Sequence, residues 1–273
     1  MSVPKPTPQL EAIFANLVEE VSGLHYGPRD RELFGEKLST QAQEAGYETL
    51  LDYYYRLRYD DPSGAETRAL LRALLVHETY FFRELAPLQQ LVDGHLTEVI
   101  RENGTARVWS AACSTGEEPM TLAMLLDERD LLARVEIIAS DLSEHAIESA
   151  RTGRHGRRAL RDGHPEALAR RYLTVDERGV TVAPRIRDAI SFRTLNLLDE
   201  AGIAELGSFD LILCRNVLIY FRDSLIARVI DRLVRSLAPG GVIAVGVSES
   251  LLRFGSSLAC EERGGAFFYR KVR

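Results

Sequence analysis

The spacing of apolar residues changes once along the chain, near residue 106, and that change decides most of what the sequence can fold into. From Leu10 to about Leu91 apolar residues recur three or four apart, in the runs Leu10–Val21, Asp30–Ala45, Tyr47–Leu57 and Glu66–Val76. That is the period of amphipathic helices. Ser22-Gly23, Gly27-Pro28, Ala45-Gly46 and Asp61-Pro62-Ser63-Gly64 separate the runs as turn signals. The pattern predicts an all-helical domain over residues 10–86. A linker helix follows over 87–105, its helical run going from about Pro87 to Glu102 and stopping at Asn103-Gly104. Residues 1–9 are Pro-rich and lack an apolar h-region, so they are expected to form a disordered tail rather than a signal peptide.

Beyond Ala106 short apolar runs alternate with helical ones. Strands are expected at Arg107–Ala112, Val135–Ser140, Ile190–Thr194, Phe209–Cys214 and Val242–Val247, with helices at Glu117–Leu132, Ser143–Ala150 and Ser224–Leu237. Such alternation predicts an α/β fold with a parallel sheet covered on both faces. Two runs around Arg263-Gly264-Gly265, within Leu258–Arg270, read as a hairpin adding antiparallel strands at the edge. Arg151–Ala189 interrupts the alternation. Its second half, from Arg171–Leu173 through Arg178-Gly179 to Val180–Ile186, reads as a small hairpin.

Composition excludes several classes. The net charge is -6, which offers no general attraction to nucleic acid or anionic membrane. No stretch approaches the roughly 18 consecutive apolar residues of a membrane span, so direct membrane insertion is not expected. The three cysteines, Cys113, Cys214 and Cys260, show no CxxC spacing. That argues against a disulfide framework or a metal site and fits a reducing cytoplasm. No coiled-coil repeat stands out, and a monomer is expected. The charge is unevenly spread: residues 1–85 hold nine Lys and Arg against fourteen Asp and Glu, whereas residues 151–187 hold ten Arg against four acids. The Arg-rich stretch is either a docking surface for something acidic or a solvated loop.

In an open parallel sheet, ligands bind at the carboxyl ends of the strands near the point where strand order reverses. The first strand leads into Ala112-Cys113-Ser114-Thr115-Gly116-Glu117-Glu118-Pro119. The GxGxxG of a dinucleotide site is missing, and two glutamates stand where a pyrophosphate would rest. Carboxylates there suit a cationic ligand such as S-adenosylmethionine, or simply a helix amino terminus. The second strand ends in Ser140-Asp141-Leu142-Ser143. Asp141 is placed to accept ribose hydroxyls, or to cap a helix as Ser143 could. In the fourth strand Arg215-Asn216 breaks a long apolar run. Burying that pair without partners would be costly, which points to a ligand or a specific network.

Trp109–Pro119 and Cys214-Arg215-Asn216-Val217-Leu218-Ile219-Tyr220-Phe221 resemble the signatures of the CheR-type chemotaxis receptor (protein-glutamate) methyltransferases. So do Thr79-Tyr80-Phe81-Phe82-Arg83-Glu84, Asn196-Leu197-Leu198 and Ser248-Glu249-Ser250. The resemblance covers nearly the whole chain. It implies a Rossmann-like S-adenosylmethionine methyltransferase domain over 106–273, preceded by the helical domain and carrying a small β-subdomain inserted at about 155–189. It implies Thr79 and Arg83 beside the cofactor, with Glu117, Asp141, Asn196, Leu197, Arg215 and Asn216 lining the same pocket. Tyr220 matches the family's active-site tyrosine, and Arg101 is the candidate for an arginine contributed by the linker helix. His77 stands where the family has Asn, and either replaces one hydrogen bond to the cofactor or simply packs.

The implied reaction forms glutamyl methyl esters on the cytoplasmic helical region of chemoreceptors, giving S-adenosylhomocysteine as coproduct. Glutamate is already ionised at neutral pH and the leaving thioether is neutral, so neither a general base nor a general acid is required. In-line positioning remains, for which an arginine fork suits a carboxylate. Two features depart from the family. Its basic second helix is here the mixed-charge Asp30–Leu38, so the Arg-rich insertion is expected to take over docking. The hairpin around Asp176–Val180 is short and lacks a Gly-rich loop, which predicts an enzyme independent of a receptor carboxyl-terminal peptide tether. The alternatives are a methyltransferase of the same fold acting on another signalling protein or a small molecule, and a non-catalytic cofactor-binding module.

Overall fold

The computed structural model describes residues 6–254, 257–263 and 266–272. The chain forms two compact units: Met1–Val76 with Tyr220–Leu225, and His77–Ile219 with Ile226–Arg273. The boundary at His77 lies earlier in the chain than the expected end of the helical domain at 86. The reason is packing: Phe81 and Phe82 are buried in the core of the second unit. The Phe81 N–H donates to the Ala159 carbonyl at 2.8 Å.

The first unit holds α1 (Pro8–Ser22), α2 (Arg31–Glu44), α3 (Leu50–Tyr59) and α4 (Ala65–Leu74), close to the runs read from the sequence. Local chemistry sets their ends. Thr7 caps α1 through its hydroxyl, Pro8 opens the helix, and Gly23 closes it at φ 81. Thr49 caps α3 in the same way. Phe14, Phe34, Leu38, Tyr53, Leu70 and Leu74 are each 1 % exposed or less and form the apolar centre. The segment Tyr220–Leu225 joins this unit: the Tyr220 carbonyl accepts the His25 N–H at 2.8 Å and Arg222 pairs with Glu19 at 2.8 Å. Because α1 starts at Pro8, the last two residues of the expected tail are helical; Met1–Lys5 lie outside the described residues.

The second unit opens with the linker helix, which runs as α5 (Leu85–Gln90), a π-helical turn (Leu91–Leu96) and α6 (Thr97–Asn103). Then come β1 (Ala106–Ala111), α7 (Glu117–Asp127), β2 (Val135–Asp141) and α8 (Glu144–Thr152). The α7 helix stops short of the expected Leu132 because Asp130 adopts φ 54. The insertion holds β3 (Arg154–His155), α9 (Glu166–Tyr172), β4 (Leu173–Asp176), β5 (Gly179–Val182) and α10 (Pro184–Arg187). The chain continues through β6 (Ile190–Thr194), α11 (Glu200–Glu205), β7 (Phe209–Leu213), α12 (Asp223–Arg235), β8 (Leu237–Ala244), β9 (Leu258–Arg263) and β10 (Ala266–Lys271).

The main sheet has seven strands in the order β6-β2-β1-β7-β8-β10-β9. The first five run parallel, and β10 and β9 are antiparallel additions at one edge. This is a Rossmann-like α/β sheet. The expected antiparallel pair is present as β9 and β10; Gly264 and Gly265 lie outside the described residues. Strand order reverses between β1 and β7, so their carboxyl ends, with that of β2 alongside, form the ligand edge. The β1 residues Val108, Trp109, Ser110 and Ala111 are buried, as a central parallel strand requires. The inserted sheet has the order β3-β5-β4. Its β4–β5 hairpin was legible in the sequence; the two-residue β3 was not.

No helix among the described residues is long and apolar enough to cross a membrane. Leu213 is fully buried on β7, and Leu213→Ala is expected to lower stability by about 2–5 kcal/mol. The measurement is the urea midpoint followed by fluorescence of the single tryptophan, Trp109, which is fully buried.

Candidate active site

Asp141 ends β2 with its carboxylate buried. One oxygen accepts the Ser114 N–H at 2.8 Å and the other the Ser143 N–H at 2.9 Å. The first bond ties the end of β2 to the loop after β1; the second orders the start of α8. Burial pushes the carboxyl above its ordinary 3.8, and the N–H groups only partly offset this. The helix cap itself is Ser143, whose hydroxyl accepts the Ala146 N–H. Asp141 therefore keeps lone pairs for further donors.

The loop after β1 is strained where a ligand would approach. Of the six non-glycine residues with positive φ among the described residues, five lie at this edge: Phe82, Glu84, Ala112, Ser114 and Asn216. Each such conformation costs on the order of 1–3 kcal/mol and clusters where function demands it. Gly116 begins α7 at φ 93, and an added Cβ there would lie 2.9 Å from the Ala150 side chain. It lets the helix start sit close against α8. Glu117 and Glu118 then diverge. Glu117 is 3 % exposed; its oxygens meet the Thr115 hydroxyl at 2.7 Å and His155 Nδ1 at 3.0 Å. Glu118 accepts the Ser110 hydroxyl and Arg215, both at 2.8 Å.

Arg215 is the hub of a buried clamp. Its side chain is 2 % exposed and pairs with Glu84 and Glu118, each at 2.8 Å. It also donates to the Arg83 carbonyl at 3.1 Å. This joins the end of β7, the start of α7 and the Phe81–Glu84 turn. Burial pushes the Glu84 carboxyl up, but the Arg215 charge and hydrogen bond outweigh it and hold the group below its ordinary 4.5. The polar interruption in the fourth strand thus answers to a protein network, and the guanidinium is committed to it. Beside it, Glu249 accepts the N–H groups of Asn216 at 2.6 Å and Gly246 at 2.8 Å, fixing the left-handed turn at Asn216.

The remaining expected residues separate into two groups. His77 Nδ1 lies 3.4 Å from the Ser114 hydroxyl, so it touches the β1 loop. Thr79 is half-buried two residues on. Arg83 donates to the Glu78 carbonyl at 2.9 Å and lies over the Tyr80 ring. Asn196 and Leu197 follow β6, next to Asp141, whose carbonyl accepts the Leu195 N–H at 2.9 Å. Asn196 closes a turn onto the Leu198 N–H, and Leu197 is buried. Tyr220 belongs to the helical unit. Arg101 is not brought to this edge. It lies near the end of α6, at the amino end of β1, its side chain 73 % exposed beside Glu102. The six residues of β1 put about 20 Å between that end and the ligand edge. The expectation for Arg101 is corrected on that ground.

The donor set fits S-adenosylmethionine. A carboxylate at the end of β2 suits ribose hydroxyls, and Glu117 suits an ammonium. Burial pushes the Cys113 and Cys214 thiols well up, which makes them inert. No group of three or more potential metal ligands occurs among the described residues. Sequence reading missed Glu84 and Glu118 as clamp partners and His155 altogether. A glutamate at a helix start has an ordinary explanation, and a lone histidine in an Arg-rich stretch carries no signal.

Removing the buried cation of the clamp leaves two half-buried carboxylates without their shared partner. Arg215→Met is expected to cost about 3–5 kcal/mol at neutral pH. The Glu84 contribution is fully present above its ordinary 4.5 and is lost as pH falls through its lower folded-state value. The stability gap between the variant and the parent should therefore narrow below about pH 4.5, read as urea midpoints across a pH series.

The CheR methyltransferase SAM-binding domain matches residues 77–262. Chemotaxis protein methyltransferase 1 of Pseudomonas aeruginosa is 34 % identical over 88 % of this chain and 89 % of its own length. Chemotaxis protein methyltransferase 2 of Vibrio cholerae is 32 % identical over 89 % and 86 %. The chemotaxis protein methyltransferase of Escherichia coli is 32 % identical over 86 % and 82 %. The chain belongs to the CheR family of S-adenosylmethionine-dependent chemotaxis methyltransferases.

Proposed function

We propose that the chain methylates glutamate side chains on the cytoplasmic helical region of chemoreceptors, acting in the cytoplasm as a monomer. The observation that carries the site reading is the buried Asp141 carboxylate bonded to the β1 loop, in an edge whose clamp and loop supply carboxylates and no phosphate cradle. When bound, S-adenosylmethionine supplies an electrophilic methyl on a sulfonium. Asp141 accepts from its ribose, Glu117 faces its cationic amino group, and His77, Thr79, Arg83, Asn196, Leu197 and Asn216 border the same pocket. Arg83 is the arginine available to hold a carboxylate, and Tyr220 is proposed to align it. The ionised substrate needs no proton removed, which accords with a site built from hydrogen-bonded carboxylates and inert thiols.

For the acceptor protein, the Arg-rich insertion supports a docking role. Five of its ten arginines are in ion pairs: Arg161 with Glu78, Arg170 with Glu166, Arg171 with Glu128, Arg185 with Asp127 and Arg187 with Asp188. Arg154, Arg157 and Arg158 are exposed and form no ion pair with a described residue. Unpaired cations beside a cofactor edge attract an acidic helical substrate. The β4–β5 hairpin turns in two residues, Glu177-Arg178, too short to wrap a peptide, and we take the enzyme to work without a tether.

Four measurements test this. Incubation with methyl-labelled cofactor and receptor membranes should give base-labile label released as methanol; stable label refutes the ester. Reversing Arg154, Arg157 and Arg158 to Glu should lower kcat/KM for the receptor by roughly tenfold or more while cofactor affinity holds; unchanged kinetics would remove the docking role. Asp141→Asn should weaken cofactor binding by about tenfold to a hundredfold, since an amide turns a donor toward donors. In the parent, only the ionised carboxylate accepts from both ribose hydroxyls. Its raised value means that affinity begins to fall at a pH above the ordinary 3.8, measurable by calorimetry across a pH series.

A further inference from the structure

The inserted subdomain reaches the cofactor edge through one buried side chain. His155 is the second residue of β3, and its side chain and that of Glu117 are 2 % and 4 % exposed, with Nδ1 3.0 Å from the carboxylate. Alternation along the strand turns Arg154 to solvent and His155 inward. The ring stands edge-on to Phe81 at 4.9 Å. Its Nε2 is buried and has no hydrogen-bond partner among the described residues. With the proton on Nδ1, the ring donates to the Glu117 carboxylate.

The consequence for charge follows from the neighbour. Glu118 is paired with Arg215, whereas among the described residues Glu117 meets no arginine or lysine, only the Thr115 hydroxyl and the His155 ring. It is the carboxylate at the start of α7 that no arginine occupies. The main chain of His155 is held as firmly as its side chain. β3 pairs with β5 through Arg154 to Thr181 and His155 to Val180. Gly179, at φ 141, leaves room for it, since a Cβ there would lie 2.1 Å from the His155 carbonyl oxygen. The hairpin, the ring and the carboxylate thus form one rigid chain of contacts.

We propose that His155 is a positioning residue for the cofactor: with Thr115 it fixes the Glu117 carboxylate so that its charge is presented to the ammonium end of S-adenosylmethionine. This rests on the reading that Glu117 receives that group. The inserted subdomain would then set cofactor affinity as well as meeting substrate.

The test compares two ligands that share adenosine and a thioether but differ at the amino-acid end. Calorimetry on the full chain measures S-adenosylhomocysteine, which carries the ammonium, and 5′-methylthioadenosine, which lacks it. His155→Phe keeps the ring against Phe81 and removes the donor. It should weaken S-adenosylhomocysteine by about tenfold, the worth of one hydrogen bond to a charged group, and leave 5′-methylthioadenosine unchanged. His155→Asn places an amide N–H near the Nδ1 position and should restore most of the loss. If the phenylalanine variant does not fold, His155→Gln, whose amide reaches the Nε2 position instead, supplies the missing-donor case. Equal weakening of both ligands means a purely structural role and overturns the proposal, as does no weakening. Glu117→Gln separates the layers. If it leaves the ratio of the two affinities unchanged, the underlying reading of Glu117 fails. If it shifts the ratio while the His155 variants do not, this inference alone fails.

Discussion

The cofactor edge of the sheet unit depends on one buried cation. Arg215 joins three segments far apart in the chain: the end of β7, the start of α7 and the turn before the linker helix. A guanidinium can do this because its fork offers donors in several directions and keeps its charge when buried. Apolar residues could fill the same volume, but they could not set the register of three loops at once. The two glutamates it neutralises would otherwise repel each other at the point where the site is assembled. Glu249 extends the arrangement on the next loop by holding the N–H groups of Asn216 and Gly246. The strained conformations at Glu84 and Asn216 lie within this network, and it is what holds them.

With Arg215 occupied inside the protein, the edge sorts its carboxylates by what they face. Glu84 and Glu118 are structural and compensated. Asp141 is bonded by two N–H groups and retains acceptor capacity. Glu117 is bonded by the Thr115 hydroxyl and the His155 ring. A site of this kind has no use for a phosphate and no proton to move, and methyl transfer to an ionised acid asks for neither. The buried, inert thiols of Cys113 and Cys214, flanking the same loops, fit that division of labour.

The fold was legible because its signals are local. Period changes near residue 106 and glycine or proline punctuation gave the helices of the first unit, the linker, α7, α8, α12 and all five parallel strands, but not α9, α10 or α11. Boundaries failed where a tertiary contact decided them: α7 ends early through the left-handed Asp130, and Phe81-Phe82 pull the unit boundary back to His77. At the site, the positions of Asp141 at the end of β2 and of Glu117 at the start of α7 were legible because topology sets which ends of the elements face the ligand edge. The role of Arg215 was half legible: the cost of burying it demanded partners, but the partners lie 97 and 131 residues away. Arg101 failed because a helix position five residues before a strand tells nothing about which end of the sheet it faces.

His155 shows the limit most clearly. Two residues of β3 are too few to leave a periodic signal, and their pairing exists only because Gly179 admits the strand against it. The surrounding arginines suggest a solvated surface, and Arg154, Arg157 and Arg158 are indeed exposed. Yet the same short segment turns a histidine inward to Glu117. Placing outward cations and an inward donor on adjacent residues means that anything displacing β3 must also move the carboxylate at the start of α7. A subdomain that looks like an appendage is, through one hydrogen bond, tied to the start of α7.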